Sequence, residues 1–477
     1  MIHEYKHVLI EILQISTLTN KEICGLAFNC VKQSDIPMLK WNVTFPDKPK
    51  PDPIPPLPPS PSAPTTNVLH LTDLHIDFEY TPGSNAECGR PLCCRSGSPS
   101  VLATGAGYWG DYRTCDLPLW TAEAIFNYIA RNEEFDIIYF TGDLPPHNIW
   151  NQSYEDQLYS LNRITDMLAT IFPNKKFYPA VGNHEAYPSD LFPTSNIKSD
   201  NISWLYDALA NKWINQLGLP NDTRSDISLG AYYTTLIKPG LRLISLNTNY
   251  CTQYNYWLFI SSNDPLNQLQ WLIQWLQYAE DNDEKVHIIG HIPPPSCLAV
   301  YSWNYYKIIN RYENTVTGQF FGHTHNDEFM IFYDELTMKR PVSVAYVAPS
   351  LTSYSSMNPG YRMYSIDMSN TSYVVDHRTN ILNLTATNWF NKTVFLEEYS
   401  ARNAYNMTNL FPNDWNDLVE RMQRDIDGSL IERAYQYFTK SFVNGQCDRP
   451  CRLNLINCHF KTARSEDTTF CTTEKRH

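Results

Sequence analysis

Five apolar runs in this sequence end in short polar motifs whose side chains can bind metal ions. The motifs are Asp73-Leu74-His75, Gly142-Asp143, Gly182-Asn183-His184-Glu185, Gly290-His291 and Gly322-His323-Thr324-His325. If the runs are strands of an open α/β sheet, the side chains just past their carboxyl ends converge on one crevice. Residues two apart, such as Asp73 and His75, can point to the same side of that crevice. The sequence therefore predicts a metal site built from carboxylate, imidazole and amide groups.

The order of the five motifs resembles the signature of the calcineurin-like metallophosphoesterases. This resemblance implies two metal ions about 3.5–4 Å apart, which polarise a phosphoryl group and generate a bound hydroxide as nucleophile. It also implies seven ligands: Asp143 as the bridge, Asp73, His75 and His325 at one ion, and Asn183, His291 and His323 at the other. This mixed set suits two zinc ions, Zn²⁺, and is also compatible with iron or manganese.

Two further histidines beside these motifs suit proton transfer. His184 directly follows Asn183, and the resemblance places it next to the leaving-group oxygen, where an imidazolium can donate a proton. His147 lies four residues after Asp143 and matches another active-site histidine in one branch of the superfamily. We expect His184 to be the general acid. His147 either shares in the proton transfer or only orients a metal ligand from behind.

Apolar runs that alternate with amphipathic segments predict an α/β architecture for the motifs. Strands are expected at 68–72, 135–141, 176–181, 241–246, 286–289 and 319–321, and helices at 120–131, 154–171, 202–217 and 265–280. Asp264 is placed to cap the last helix, with Pro265 as its first residue. Apolar segments after Gly322 suit a second sheet. With the resemblance, the expected fold is a layered metallophosphoesterase β-sandwich flanked by helices.

A proline-rich run from Pro46 to Pro64 separates the start of the chain from the motifs. Its composition predicts an extended polyproline-type spacer that couples the two parts loosely. We expect the N-terminal part to be either mobile or docked on a neighbouring surface. We therefore divide the chain into a helical N-terminal remnant (1–35), a linker (36–66), a catalytic domain (67–400) and a helical, disulfide-bonded C-terminal subdomain (401–477). Charged side chains such as Glu4 and Lys6 argue against a signal peptide. We expect the sequence to begin downstream of the natural start.

Cysteines and glycosylation sequons point to an oxidising compartment. The twelve cysteines include two local clusters without paired C-x-x-C zinc spacing: Cys88, Cys93, Cys94 and Cys115, then Cys447, Cys451, Cys458 and Cys471. Asn-x-Ser/Thr sequons occur at Asn42, Asn151, Asn201, Asn221, Asn370, Asn383, Asn391 and Asn406. Both features predict a lysosomal or secreted protein that carries N-linked glycans.

Longer segments resemble one branch of the superfamily, the acid sphingomyelinase family. They include Pro91-Leu-Cys-Cys-Arg95, Gly105-Ala-Gly-Tyr-Trp-Gly110, Tyr178-Pro-Ala-Val-Gly-Asn-His-Glu185 and Gln319-Phe-Phe-Gly-His-Thr-His325. The resemblance implies cleavage of sphingomyelin to ceramide and phosphocholine. It further implies the disulfides Cys88–Cys93, Cys94–Cys115, Cys251–Cys297, Cys447–Cys451 and Cys458–Cys471. Cys24 and Cys30 resemble the last cysteines of a saposin-type domain, with partners expected upstream of Met1.

Two other functions are alternatives at this point. An acid-sphingomyelinase-like phosphodiesterase acting on nucleotide phosphodiesters shares the metal ligands but lacks a saposin unit. A non-catalytic binding protein could use the same scaffold, although the complete ligand set argues against it. We expect the lipid enzyme, with peripheral membrane contact and a monomeric state. A formal net charge of −13 argues against a nucleic-acid partner.

Overall fold

Most of the described strands make up two large sheets, and two short strands pair separately. The computed structural model describes residues 2–28, 30–60, 62–99, 104–354, 356–442 and 447–471. The strands are β1 (Thr65–Leu71), β2 (Ile76–Asp77), β3 (Leu117–Pro118), β4 (Ile137–Phe140), β5 (Lys176–Pro179), β6 (Tyr233–Lys238), β7 (Leu241–Ser245), β8 (Lys285–Ile289), β9 (Val316–Phe321), β10 (Glu328–Tyr333), β11 (Pro341–Val347), β12 (Gly360–Asp367), β13 (Val374–Leu382) and β14 (Phe395–Ser400).

Parallel strands in each sheet bring the motifs to one edge of the sandwich. The first sheet has the order β14-β13-β12-β1-β4-β5 and the second β10-β11-β9-β8-β7-β6. Strands β1, β4 and β5 are parallel in the first sheet, as are β7, β8, β9 and β11 in the second. The five predicted metal-binding motifs follow β1, β4, β5, β8 and β9. The predicted convergence of these motifs at strand ends is therefore confirmed.

The division of strands between the sheets differs from the prediction. The second sheet does not begin after Gly322, because β6 to β9 form most of it, while β12 to β14 extend the first sheet beside β1. Strands of both sheets are buried over most of their length, so a local apolar pattern carries no information about sheet membership. The β-sandwich itself is confirmed.

Aromatic side chains join the two sheets. The ring of Phe320 on β9 lies 5.0 Å from that of Tyr139 on β4 and 4.9 Å from that of Tyr364 on β12. Buried between the sheets, the Tyr139 hydroxyl is 2.7 Å from Nδ1 of His287. Such contacts fill the interior with large rings and fix one sheet relative to the other.

Helices cover the outer faces of the sandwich and form the C-terminal subdomain. They are α1 (Ile2–Ile15), α2 (Asn20–Phe28), α3 (Leu119–Asn132), α4 (Tyr154–Ile171), α5 (Ser203–Asn215), α6 (Arg224–Gly230), α7 (Gln268–Asp281), α8 (Ala299–Arg311), α9 (Leu384–Phe390), α10 (Ala401–Tyr405), α11 (Pro412–Gln423), α12 (Ser429–Phe438) and α13 (Arg449–Asn454). Among the described residues, none of them has the length and apolar character needed to span a bilayer. Residues 472–477 of the predicted C-terminal subdomain lie outside the described part.

The start of α7 was predicted wrongly. Pro265–Asn267 forms a separate 3₁₀ turn, and the α-helix begins at Gln268. Leu266 and Asn267 have left-handed backbone angles, φ 58° and 53°, which interrupt the helix. Asp264 still caps it, because its carboxylate accepts the backbone N–H groups of Leu269 and Gln270 at 2.8 and 3.0 Å.

The N-terminal helices are docked on the catalytic domain. Tyr5, Val8 and Ile12 of α1 are buried in a cluster with Trp257 and Phe259. The linker is also held in place, through packing of Trp41, Val43 and Phe45 against α7 and α8 and ion pairs from Lys48 to Asp281 and Lys50 to Glu313. The N-terminal part is therefore docked, which is one of its two expected states, whereas the expected loose coupling through the linker is wrong.

All five disulfides expected between described cysteines are present. The expectation for Cys24 and Cys30 is wrong, because these two residues bond to each other. Cys24 lies in the middle of α2 and Cys30 two residues past its end, with Cα atoms 5.6 Å apart, within the range that a disulfide requires. No free cysteine is left in the described chain.

Candidate metal centre

The predicted ligands lie on tight loops at the carboxyl ends of the strands. Asp73, His75, Asp143, His323 and His325 all have positive φ angles between 39° and 74°. This region is rarely occupied by residues other than glycine, and such local strain concentrates at functional sites. At the adjacent Gly142, with φ 89°, an added Cβ would lie 2.3 Å from the backbone nitrogen of Gly182. Two ligand loops therefore approach each other more closely than a side chain would permit.

One group of ligands consists of Asp73, His75 and His325. Nδ1 of His75 donates to the carbonyl of Pro145 at 2.8 Å, and Nδ1 of His325 donates to the carbonyl of Tyr354 at 2.7 Å. In the neutral rings, both Nε2 atoms are therefore unprotonated, yet they face each other at 3.3 Å. Oδ1 of Asp73 lies 3.5 Å from Nε2 of His325. Converging lone pairs and a carboxylate suit a bound cation.

A second group contains Asp143, Asn183, His291 and His323. Nδ1 of His291 donates to the carbonyl of Thr141 at 2.6 Å, so its Nε2 is the free nitrogen. This Nε2 is 2.9 Å from Oδ1 of Asn183 and 3.1 Å from Oδ2 of Asp143. Oδ1 of Asn183 is also 3.1 Å from Nδ1 of His323. The four side chains thus point one ligand atom each toward a common centre.

Asp143 lies between the two groups. Its Oδ2 is 3.1 Å from Nε2 of His291 and 3.4 Å from Nε2 of His75. Burial alone would raise the pKa of Asp143, but the imidazoles of His291 and His184 hold it well below its usual value. The carboxylates in turn overcome the effect of burial and raise the pKa of His291 to about 10. The centre therefore favours positive charge, as a site for dications must.

A third set of histidines could also hold a metal ion. His75, His147 and His184 each offer a ring nitrogen, and these atoms lie within 4.8 Å of one another. The set contains no carboxylate to offset the charge of a dication, whereas each of the two groups above contains an aspartate. We therefore assign the metal ions to the groups containing Asp73 and Asp143.

His147 is held by a carboxylate that sequence reasoning missed. Its Nδ1 is 2.8 Å from Oδ1 of the fully buried Asp116, whose Oδ2 accepts the backbone N–H of His147 at 2.7 Å. The imidazole ring of His147 stacks on the ring of Tyr354, with ring centroids 4.0 Å apart. Because Nδ1 donates to Asp116, the neutral ring presents an unprotonated Nε2 on its other side.

His184 lies beside the ligands without joining either group. Its ring centroid is 4.8 Å from that of His75 and 4.6 Å from that of His147. Its Nδ1 is buried and has no hydrogen-bond partner among the described residues. Burial holds the pKa of His184 well below its usual value, although the charge of Asp143 acts in the opposite direction. The structure thus brings all nine predicted site residues together.

Known proteins identify the family of this chain. The calcineurin-like phosphoesterase family profile matches residues 66–327, and the profile of the acid sphingomyelin phosphodiesterase C-terminal region matches 340–471. The chain is 47% identical to a sphingomyelin phosphodiesterase of Bos taurus, over 97% of this chain and 75% of that protein. This chain belongs to the acid sphingomyelinase family. It is therefore a phosphodiesterase with a metallophosphoesterase fold.

Two human proteins illustrate the breadth of the family. The chain is 44% identical to the sphingomyelin phosphodiesterase of Homo sapiens, over 99% of this chain and 75% of that protein. It is 31% identical to a cyclic GMP-AMP phosphodiesterase of Homo sapiens, over 80% of this chain and 85% of that protein. These relatives differ in the substrate that their names give, so family membership alone does not determine the substrate class.

Glu185 holds the backbone of Asp143 in place. Its carboxylate accepts the backbone N–H groups of Asp143 and Leu144 at 3.2 and 3.0 Å. Burial and the neighbouring charge of Asp143 raise the pKa of Glu185 to about 8. Glu185 was visible in the sequence as the last residue of its motif, but that position alone does not indicate the role.

Lys440 supports the centre from the C-terminal subdomain. Its Nζ is fully buried and donates to the carbonyl and hydroxyl oxygens of Ser350 at 3.0 and 2.6 Å. Two residues further on, the N–H of Thr352 donates to the carbonyl of Asp73 at 3.0 Å. Burial lowers the pKa of Lys440 to about 7. Nothing in the sequence around Lys440 signals this role, because the contact joins segments 90 residues apart.

Proposed function

We propose that this chain hydrolyses sphingomyelin to ceramide and phosphocholine with two zinc ions and a histidine general acid. The observation that carries the proposal is the pair of ligand groups joined at Asp143. The choice of lipid is supported by 44–47% identity to sphingomyelin phosphodiesterases over nearly the whole chain, against 31% over 80% for the cyclic GMP-AMP phosphodiesterase.

The metal ions are assigned to residues whose free atoms already converge. Asp73, His75 and His325 would hold one ion, Asn183, His291 and His323 the other, with Asp143 shared between them. When bound, the two cations polarise the phosphoryl group and activate water for the attack. Imidazole, carboxylate and amide ligands suit zinc at such a site.

Two histidines would handle the proton and the leaving group. In our proposal His184, whose buried Nδ1 has no partner in the part of the chain that the structure describes, donates a proton to the departing ceramide oxygen. Burial alone favours its neutral form, but the negative charge of a bound phosphodiester would favour the imidazolium. His147, oriented by Asp116 and Tyr354, would position the substrate or the ring of His184.

A direct substrate comparison tests the proposal. The zinc-loaded chain is assayed with sphingomyelin in detergent micelles, with cyclic GMP-AMP and with bis(p-nitrophenyl) phosphate. We expect kcat/KM for sphingomyelin to exceed that for the cyclic dinucleotide by roughly 100-fold or more, since a pocket shaped for one leaving group discriminates strongly. Faster hydrolysis of the cyclic dinucleotide would establish the alternative nucleotide enzyme. Failure to hydrolyse even the activated aryl diester would indicate a non-catalytic binding protein.

We further propose that the protein works as a glycosylated monomer in the lysosome or outside the cell, in peripheral contact with membrane. Its six disulfides suit an oxidising compartment. The sequon asparagines are exposed except Asn383, which is partly buried. Secretion from eukaryotic cells followed by a glycosidase-induced mass shift tests the compartment and the glycans. The mass of the native protein in solution tests the monomeric state.

A further inference from the structure

An exposed aromatic patch lies at the end of α9. Trp389 and Phe390 are 83% and 68% exposed, and Tyr108 in a neighbouring loop is 51% exposed. The two segments are tied together by a 2.9 Å hydrogen bond from the backbone N–H of Trp109 to Oδ1 of Asn388. Large apolar side chains grouped on a surface normally mark a place where something else makes contact.

A glycosylation sequon follows this patch directly. Asn391, which precedes Lys392 and Thr393, ends α9 with left-handed angles of φ 48° and ψ 39° and is exposed. Its side-chain amide faces the indole of Trp109, with Oδ1 3.1 Å from Nε1. Because an indole nitrogen only donates, the facing atom must be the oxygen. The nitrogen that would carry a sugar therefore points to a different side, toward solvent.

We propose that Asn391 carries an N-linked glycan whose first sugar packs on Trp389 and Phe390 and shields the patch. The C–H groups of a sugar ring carry partial positive charge, and the faces of aromatic rings carry partial negative charge. The two rings directly precede the turn at Asn391, so they lie within reach of the first sugar. This inference depends on the secretory route proposed above.

The sugar would be transferred to Asn391 from a lipid-linked donor. Nδ2 of Asn391 attacks C1 of an oligosaccharide carried on a polyprenyl pyrophosphate. A C–N bond forms, the C–O bond to the pyrophosphate breaks, and the amide proton leaves with the released lipid pyrophosphate.

Asn370 provides an internal comparison. It lies in an exposed sequon, as Asn391 does, but is preceded by Met368 and Ser369 rather than by exposed aromatic rings. The alternative occupant of the patch is a lipid bilayer, since tryptophan and tyrosine favour membrane interfaces. A hydrophilic glycan at Asn391 would keep the rings from entering a bilayer, so the two occupants exclude each other.

The experiment uses the full chain secreted from insect cells behind an added leader peptide. Mass spectrometry measures occupancy at Asn391 and Asn370, and glycosidase digestion of the native protein measures the rate of release at each site. The double variant Trp389→Ala/Phe390→Ala removes the rings without touching the buried core. The variant Thr393→Ala removes the sequon and keeps Asn391 with its bond to Trp109.

We expect Asn391 to be occupied and release of its glycan to become roughly two- to tenfold faster in the double variant, with release at Asn370 unchanged. Thr393→Ala should increase binding to phosphatidylcholine vesicles. Equal release rates with and without the rings would overturn the shielding. If Asn391 carries no glycan while Asn370 does, and the double variant no longer binds vesicles, the aromatic patch is a membrane-binding surface and the proposal is wrong. Empty sequons throughout would overturn the secretory route as well.

Discussion

At the scale of single residues, Asp143 is the point on which both candidate metal groups depend. One of its carboxylate oxygens faces imidazole nitrogens from each group, at 3.1 Å from His291 and 3.4 Å from His75. Its backbone is held in the left-handed region, φ 60°, by the carboxylate of Glu185. A charged oxygen fixed between two like charges is what keeps a pair of dications close together.

Replacing this charge tests the shared site. Asp143→Asn keeps the shape of the side chain but removes the negative charge, so we expect fewer than two metal ions per chain and loss of turnover. Elemental analysis of the purified protein and kcat on an activated diester measure the two effects. The matched control is Asp136→Asn, since the side chain of Asp136 is 85% exposed. Two bound metal ions together with full activity in Asp143→Asn would contradict the bridge.

The role of His184 can be separated from mere positioning by the leaving group. The ceramide alkoxide needs a proton, whereas p-nitrophenolate departs without one. His184→Ala should therefore lose on the order of 10²–10⁴-fold in activity on sphingomyelin and much less on bis(p-nitrophenyl) phosphate. His7→Ala, at an exposed position on α1, should leave both rates unchanged. Equal losses on the two substrates would assign His184 to positioning.

At the scale of elements, the sequence predicted those features that local patterns determine. Helix α4 spans the predicted 154–171, because Ser153 caps it by accepting the N–H of Asp156 and because apolar residues recur at helical spacing. The convergence of the candidate ligands was predictable because each of them follows a buried strand. Both signals lie within a few residues of the feature that they predict.

Other features depend on contacts between distant segments. Asp116 and Tyr354 both contact His147, although they lie far apart in the sequence of the catalytic domain. Neither residue belongs to a motif of metal-ligand type. The strands β12 to β14 extend the first sheet through the pairing of β12 with β1, about 300 residues apart in the chain. The start of α7 was missed because Leu266, next to Asn267, adopts left-handed angles that are rare for leucine.

The contact between Lys440 and Ser350 makes the C-terminal subdomain part of the centre. Lys440→Met keeps the buried stem and removes both hydrogen bonds to Ser350, so the segment that meets the backbone of Asp73 should become less well fixed. We expect roughly 10–100-fold weaker zinc binding, the usual effect of losing an outer partner of a metal ligand. Chelator competition measures the affinity.

A control variant and a stability measurement distinguish this effect from general damage. Lys461→Met changes another lysine of the same subdomain, whose Nζ lies over the ring of Phe470 and away from Ser350. The melting temperature of Lys440→Met should change little or rise, because a buried ammonium is itself costly. Unchanged zinc affinity in Lys440→Met would show that Lys440 does not support the metal centre.

At the scale of the whole molecule, the N-terminal segment is part of one packed unit with the catalytic domain. The Tyr5 hydroxyl on α1 donates to the carbonyl of Ser189 at 3.0 Å, and the Ser189 hydroxyl donates to the carbonyl of Asn183 at 3.4 Å. Helix α1 is therefore two hydrogen bonds away from Asn183, a candidate metal ligand.

The outer face of α1 carries four large apolar side chains beside polar ones. Leu9, Ile10, Leu13 and Ile15 are 38–67% exposed, while Tyr5, Val8 and Ile12 on the inner face are buried. A helix held at the surface with exposed leucine and isoleucine can lie in a membrane interface. This face is our candidate for the proposed membrane contact.

Two substitutions on this face test the membrane contact. Ile10→Gln/Leu13→Gln leaves the buried face of α1 intact. It should reduce hydrolysis of sphingomyelin in liposomes by roughly tenfold or more, since each large apolar side chain that enters the interface contributes on the order of 1.5–3 kcal/mol. Hydrolysis in detergent micelles should stay unchanged, because detergent delivers the lipid to a site that is chemically intact. Leu336→Gln, at an 88% exposed position in the β10–β11 turn, is the matched control. Equal losses in liposomes and micelles would indicate damage to the catalytic centre, and no loss in either would place the membrane contact on another surface.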